Sequence, residues 1–240
     1  MLAQWLKTSK YTVVLTGAGM STESGLPDFR SAQTGLWNKK NPQQLASTYA
    51  LKHHRDEFIA FYQYRIRTLH QCKPHTGHIL LSEWEKRGIV QNIITQNVDG
   101  FHQQAGSKNV IELHGSLRTV HCQRCHKVYA SDMYINEEFY CTCGGFLRPS
   151  VVLFGESLPS DAIEKAWLAA QKAELLIVLG SSLQVSPANQ LPLLAKRSGA
   201  KLVIVNMEPT ELDEWADFVI HHRKISEVLK ELESQLKAGE

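Results

Sequence analysis

Four short apolar runs, each followed by glycine or polar turn residues, constrain this chain more than any other feature. They are Tyr11-Thr12-Val13-Val14-Leu15-Thr16 and the segments 90–95, 175–179 and 202–205. Runs this short and this rich in β-branched residues read as buried parallel strands. Helix-like stretches lie between and after them, including 75–87, 161–173 and a closing amphipathic stretch at 225–236. Strands alternating with helices predict an α/β fold, a Rossmann-like doubly wound parallel sheet. Ligands of such sheets bind beyond the carboxyl ends of the strands, so the residues just after each run matter most.

Two segments break the alternation. Residues 43–71 read as helical, with Phe58, Phe61, Tyr62 and Ile66 near helical spacing, and residues 120–148 hold most of the cysteines. They are expected to form a smaller inserted domain, made of a helical module (31–74) and a zinc-ribbon-like module (120–148). Residues 1–30, 75–119 and 149–240 would then build the discontinuous Rossmann-like domain. With 240 residues, 43% of them hydrophobic, the chain can bury a sizeable core. The net charge is +2 and no basic run stands out, which argues against a nucleic-acid partner. No secretory signal is visible at the N-terminus, and no apolar segment approaches the roughly 20 residues of a membrane helix. A cytoplasmic protein, monomeric by default, is the expectation.

Four of the five cysteines fall within one short stretch, as Cys122-Gln123-Arg124-Cys125 and Cys141-Thr142-Cys143, with 15 residues between the pairs. Two thiolate pairs on tight turns can close a tetrahedral shell around zinc. Four thiolates leave no position for water, so the metal would be structural and a zinc-dependent hydrolase is disfavoured. His121 and His126 are adjacent competitors as ligands, whereas Cys72 stands alone as a small apolar residue.

After the first run comes Gly17-Ala18-Gly19-Met20-Ser21-Thr22, then Gly25. This altered glycine fingerprint permits close approach of a pyrophosphate at a helix start, or serves only as a tight strand–helix turn. Leu26-Pro27-Asp28-Phe29-Arg30 follows and suggests a loop lying over a cofactor. Three other strand ends are polar: Thr95-Gln96-Asn97-Val98-Asp99-Gly100, Gly180-Ser181-Ser182-Leu183 and Asn206-Met207-Glu208. Each alone is an ordinary turn; together they favour a ligand crevice.

At this point the sequence resembles the sirtuin family over nearly its whole length. The resemblance rests on residues 17–25, Pro27-Asp28-Phe29-Arg30, Thr95-Gln96-Asn97-Val98-Asp99, His114-Gly115, both cysteine pairs, Phe154-Gly155-Glu156, Gly180-Ser181-Ser182-Leu183 and Asn206. It implies a bacterial-type, NAD-dependent enzyme that removes acetyl groups from protein lysines, releasing nicotinamide and O-acetyl-ADP-ribose. By resemblance Ala18, Thr22, Phe29 and Arg30 line the cofactor loop. Gln96 contacts the nicotinamide ribose, Asn97 holds ribose or water, and Asp99 binds the nicotinamide carboxamide. Ser181, Ser182, Asn206 and Glu208 take the adenosine half. His114 is the implied general base, suited to the task by an ordinary imidazole pKa of about 6.5. The segment around Val152 would pair with the substrate as an added strand, the Val152 carbonyl accepting from the lysine Nε–H. Phe154 and Val185 would wall the acyl tunnel. Family members often carry Asp where Ser150 stands and Leu where Phe101 stands; neither change touches a reacting group.

Tyr62 and Arg65, three apart on one helix face, follow Ala46 at a spacing that resembles sirtuins acting on succinyl- and malonyl-lysine. Arg65 would pair with an acyl carboxylate and Tyr62 would add a hydrogen bond. Alternatively the pair is a solvated arginine and a packed tyrosine. Deacetylation is the first expectation, with acidic-acyl removal as an addition. A mono-ADP-ribosyltransferase and a non-catalytic NAD-sensing module are the competing classes.

Overall fold

The computed structural model describes residues 1–28 and 41–238. Its strands are β1 (Thr12–Thr16), β2 (Asn92–Thr95), β3 (Val110–Glu112), β4 (Gly115–Cys122), β5 (Val128–Ala130), β6 (Leu147–Val151), β7 (Leu175–Leu179), β8 (Lys201–Val205) and β9 (Phe218–Ile220). Its helices are α1 (Leu2–Thr8), α2 (Pro42–Leu45), α3 (Thr48–His53), α4 (Arg55–Gln71), α5 (Thr76–Lys86), α6 (Phe101–Gln104), α7 (Asp132–Ile135), α8 (Ser160–Lys172), α9 (Gln190–Arg197) and α10 (Ile225–Lys237). Among the described residues no helix is long and apolar enough to cross a membrane.

The larger sheet runs β3-β2-β1-β7-β8-β9, and every neighbouring pair is parallel. Every residue of β1 and of β7 is buried, because helices cover both faces. Side chains alternate between those faces along each strand. Val14, Ile177 and Val203 join Leu6, Trp84 and Leu229 in one core. Val13, Leu15 and Val178 join Ala170, Leu191 and Ala195 in the other. Strand order reverses between β1 and β7, so the turns after these two strands flank the switch-point crevice. The doubly wound α/β fold expected from the apolar runs is the fold observed.

A second, antiparallel sheet, β5-β4-β6, carries the cysteine module. It shares one core with the helical residues: Phe58, Tyr62 and Ile66 pack with Val120, Tyr134 and Leu147. Its strands begin at Gly115 and end at Val151, so β4 starts directly after His114.

Residues 43–71 divide into three helices rather than one. The Ser47 hydroxyl accepts from Ala50 N and starts α3 afresh, and His54, at φ −133° and ψ 51°, separates α3 from α4. The helical spacing read from Phe58, Phe61, Tyr62 and Ile66 belongs to α4 alone, where all four are buried.

Candidate active site

The turns after β1 and β7 lock together by their backbones. Gly19 N donates to the Gly180 carbonyl at 2.9 Å. A Cβ on Gly17 would sit 2.7 Å from the Gly180 carbonyl oxygen, and one on Gly19 would sit 2.8 Å from Gly180 Cα. These glycines therefore let two strand–helix turns cross, a demand separate from any ligand. The first turn continues as a 3₁₀ helix, Ala18–Ser24, and not as an α-helix. Ala18 is half-buried at its start. Thr22 is exposed, and its hydroxyl donates to the Gly19 carbonyl at 2.9 Å.

A buried polar network fills the space between the ends of β1 and β2. Asn97 Nδ2 donates to the Gly17 carbonyl (2.9 Å) and to Ser21 Oγ (3.2 Å), and Ser21 Oγ donates to Asp99 Oδ2 at 2.7 Å. Asp99 Oδ1 accepts from Phe101 N at 2.9 Å, and Arg118 Nε donates to the Asp99 carbonyl at 2.7 Å. Asp99 is 6% exposed. Burial pushes its carboxyl above the ordinary range, although Phe101 N–H, the Ser21 hydroxyl and the Arg118 and Arg65 cations oppose the shift. The arrangement fits a polar, uncharged ligand group such as a carboxamide.

Gln96 Nε2 donates to Ser181 Oγ at 2.9 Å, which joins the ends of β2 and β7 across the switch point. Ser182 is half-buried beside Ser181. At the end of β8, Asn206 Nδ2 donates to the Glu208 carbonyl at 2.7 Å. His114 Nδ1 lies 2.8 Å from the Gln96 carbonyl and must donate to it. In the neutral ring that bond fixes the proton on Nδ1 and the lone pair on Nε2. Phe29 and Arg30 lie outside the described residues.

The segment after β6 passes close to His114 and to the helical module. Val152 N donates to the His114 carbonyl (2.9 Å), Phe154 N to the Ala46 carbonyl (2.9 Å), and Thr48 N back to the Phe154 carbonyl (3.0 Å). Val185 is half-buried in the loop after β7. Tyr62 is buried, and burial pushes its hydroxyl up to about 12. Arg65 hydrogen-bonds Tyr62, and burial lowers its guanidinium against the opposing pull of Tyr62 and Asp99. Arg65 thus lies within the electrostatic reach of the same carboxylate that anchors the Ser21 network.

The four cysteine sulfurs lie within 4.8 Å of one another. Cys122 and Cys143 Sγ are 3.5 Å apart and Cys125 and Cys141 Sγ 3.6 Å, far longer than a disulfide. The backbone N–H of Cys125 lowers the Cys122 thiol and that of Cys143 lowers Cys141 to about 6, whereas burial and the neighbouring thiols push Cys143 up to about 11, so without a cation the crowded cluster does not ionise fully. A Cβ on Gly145 would fall 2.5 Å from Cys122 Sγ, so the knuckle requires glycine there. This donor set fits one structural zinc. His121 is engaged elsewhere, its Nδ1 3.1 Å from Ser150 Oγ, and the cluster contains no histidine.

The Sir2 family profile matches residues 17–187. The chain belongs to the Sir2 family. It is 69% identical to "NAD-dependent protein deacetylase 1" of Geobacillus kaustophilus (strain HTA426), over 98% of this chain and 97% of that one. A solved Sir2 complex with a p53 peptide and NAD+ is 39% identical and superposes with a TM-score of 0.90, covering 99% of this chain and 98% of its own. A second Sir2 structure, with deacetylated p53 peptide and 3′-O-acetyl ADP-ribose, is 40% identical at a TM-score of 0.92, covering 98% and 96%.

Three residues of this Sir2 site escaped the sequence reading as individuals. Ser21 ties Asn97 to Asp99, yet within the glycine motif it looks like one more small turn residue. Arg118 holds the Asp99 backbone from β4. Arg148, 6% exposed, grips both Glu156 oxygens (2.6 and 3.0 Å) and the Val151 carbonyl (2.6 Å), while Leu153 N donates to Glu156 Oε2 at 2.9 Å. This pair shapes the 151–156 segment. Glu156 belongs to the Phe154-Gly155-Glu156 motif, whereas nothing in the sequence marks Arg148 as its buried partner.

Proposed function

We propose that this chain removes acetyl groups from protein lysines with NAD as co-substrate, giving nicotinamide, O-acetyl-ADP-ribose and free lysine. The reading rests above all on the seating of His114. Its Nδ1 is held by the carbonyl of Gln96, the residue that also bridges to Ser181 across the switch point, and its own carbonyl accepts from Val152 N. One imidazole therefore stands between the nucleotide crevice and the acyl-lysine segment.

NAD supplies an electrophilic ribose carbon with nicotinamide as leaving group. Asp99, Ser21 and Asn97 form the polar wall that receives the carboxamide and the adjoining ribose. Gln96 and Ala18 line the next stretch, Thr22 borders the loop, and Ser181, Ser182, Asn206 and Glu208 take the adenosine half. Phe29 and Arg30 complete the loop by resemblance. The acyl-lysine lies along 151–156, its Nε–H donating to the Val152 carbonyl and its acyl group walled by Phe154 and Val185. His114 Nε2 takes a ribose hydroxyl proton, a task suited to an imidazole near neutral pH. The zinc holds β4 and the Cys141–Cys143 turn together and supplies no reacting group. Thiols kept for a metal fit a cytoplasmic enzyme.

Mass spectrometry of matched acetyl-, succinyl- and malonyl-lysine peptides incubated with enzyme and NAD tests the reading. The expected result is nicotinamide and acetyl-ADP-ribose in equal amounts from the acetyl peptide. ADP-ribose attached to an acceptor, without acetyl-ADP-ribose, would make the chain a mono-ADP-ribosyltransferase. NAD binding without nicotinamide release would make it a sensing module.

Removal of succinyl and malonyl groups is a second reading, favoured by the hydrogen bond that sets Arg65 and Tyr62 side by side on α4. Arg65→Met keeps much of the bulk and removes the donors. A charge-assisted hydrogen bond contributes about 1.5–3 kcal/mol, so succinyl turnover is expected to fall at least about tenfold. Acetyl turnover should change far less, since acetyl carries no carboxylate. Equal losses on both peptides would make Arg65 structural, a partner of Tyr62 and Asp99.

A further inference from the structure

The loop after β8 is braced by a pair that takes no part in the steps above. Asn206 N donates to the Ile220 carbonyl at 3.1 Å, which ties the loop to the end of β9. The next residue, His221, reaches back: its Nδ1 lies 3.0 Å from the Asn206 carbonyl and its Nε2 2.9 Å from Asp213 Oδ2. Asp213 also accepts from Thr210 N (3.0 Å) and Thr210 Oγ1 (2.7 Å), which closes the turn leading into the 3₁₀ helix Asp213–Trp215. The side chains of His221 and Asp213 are only 21% and 22% exposed. A carbonyl and a carboxylate are both acceptors, so the ring satisfies them only by donating from both nitrogens. Burial raises the Asp213 carboxyl, but the bonds from Thr210 and His221 outweigh it and hold it below its ordinary value, so the acceptor is a carboxylate.

We propose that His221 and Asp213 are positioning residues for the adenosine half of NAD. Their brace fixes the Asn206 carbonyl at one end of the 206–213 loop and the capped turn at the other. With both ends pinned, the Asn206 amide is directed to the Glu208 carbonyl at 2.7 Å and the loop is preformed for the adenosine. The inference rests on the assignment of Asn206 and Glu208 to adenosine made above. Loss of the brace leaves the reacting groups in place and makes the loop order itself on each binding event, which weakens affinity and spares turnover.

The test measures initial rates against NAD at saturating acetyl-peptide, with ADP-ribose binding by calorimetry. Glutamine places a donor where Nε2 stands and loses the bond to Asn206, whereas asparagine places one where Nδ1 stands and keeps it. His221→Gln is expected to raise KM for NAD and Kd for ADP-ribose about tenfold, or about 1.4 kcal/mol, with kcat and peptide KM unchanged. His221→Asn should recover most of the affinity. Asp213→Asn, nearly isosteric, should raise KM in the same way and serves if His221→Gln does not fold. Asn206→Ala is the control. If it leaves KM for NAD unchanged, the adenosine assignment fails and the brace fails with it. If Asn206→Ala raises KM while His221→Gln and Asp213→Asn lower only the thermal midpoint, the pair is structural and this proposal alone is overturned.

Discussion

His114→Ala is expected to stop deacetylation while leaving NAD binding nearly intact. Loss of a general base costs about 10²–10⁴-fold in rate. The structure explains why the effect should fall on turnover and not on the fold. The imidazole's bond is to the Gln96 carbonyl, but Gln96 N is held independently by the Thr16 carbonyl at 2.9 Å. The pairing of Val152 with residue 114 runs through the backbone and survives the substitution. Gln96 also keeps its bond to Ser181, so the crevice wall stays in place. Rates with saturating NAD and acetyl-peptide, paired with calorimetric ADP-ribose binding, separate the two effects. A variant that keeps most of its activity, or one that loses ADP-ribose binding in parallel, would sink the assignment of His114 as the base.

Why Gln96, Asn97, Asp99 and Ser181 were legible together in the sequence follows from the sheet, whereas His114 rested on the family resemblance. Apart from His114, which stands two residues beyond the edge strand β3, each lies in the turn after a buried apolar run. In a parallel sheet those turns converge at one edge whatever the intervening sequence. Reading the runs therefore placed the residues together before any contact was known. The short edge strands β3 and β9 were not legible, because three residues carry no period to read. Nor were the breaks in the helical module, where capping by Ser47 overrides a continuous apolar spacing.

Chemistry inside the crevice was less legible than its location. The sequence offered Asp99 as a carboxylate for a carboxamide; the fold gives both of its oxygens internal donors, Ser21 and Phe101 N, and raises its carboxyl by burial. Those partners lie 78 and 2 residues away, and only the first needs the fold to be seen. The glycines of the first turn show the same gap. Their motif suggests ligand approach, while the contacts that forbid a Cβ come from Gly180, in the turn after β7 and far along the chain. Arg148 makes the point for charge: a buried arginine is visible only once Glu156 is placed against it.

Cys122→Ala and Cys141→Ala are each expected to lose the zinc and loosen the smaller domain. Cys122 ends β4 and Cys141 opens the turn that returns to β6, and both belong to the core that holds Val120, Phe146 and Leu147. Without the metal, the sulfurs that lie within 4.8 Å of one another lose the ion that draws them together, and the two knuckles lose the bonds that clamp them. Because β4 and β6 run on to Gly115 and Val151, the strain reaches the backbone beside His114 and residues 151–156. Activity should therefore fall with zinc content although no thiol takes part in the chemistry. Metal analysis per chain, thermal melting and rates on the same preparations check this order of events. Cys72→Ser, outside the cluster, should keep one zinc per chain. A ratio that stays at one in both Cys122→Ala and Cys141→Ala would overturn the four-cysteine site. Full activity in a zinc-free preparation would overturn its structural link to the crevice.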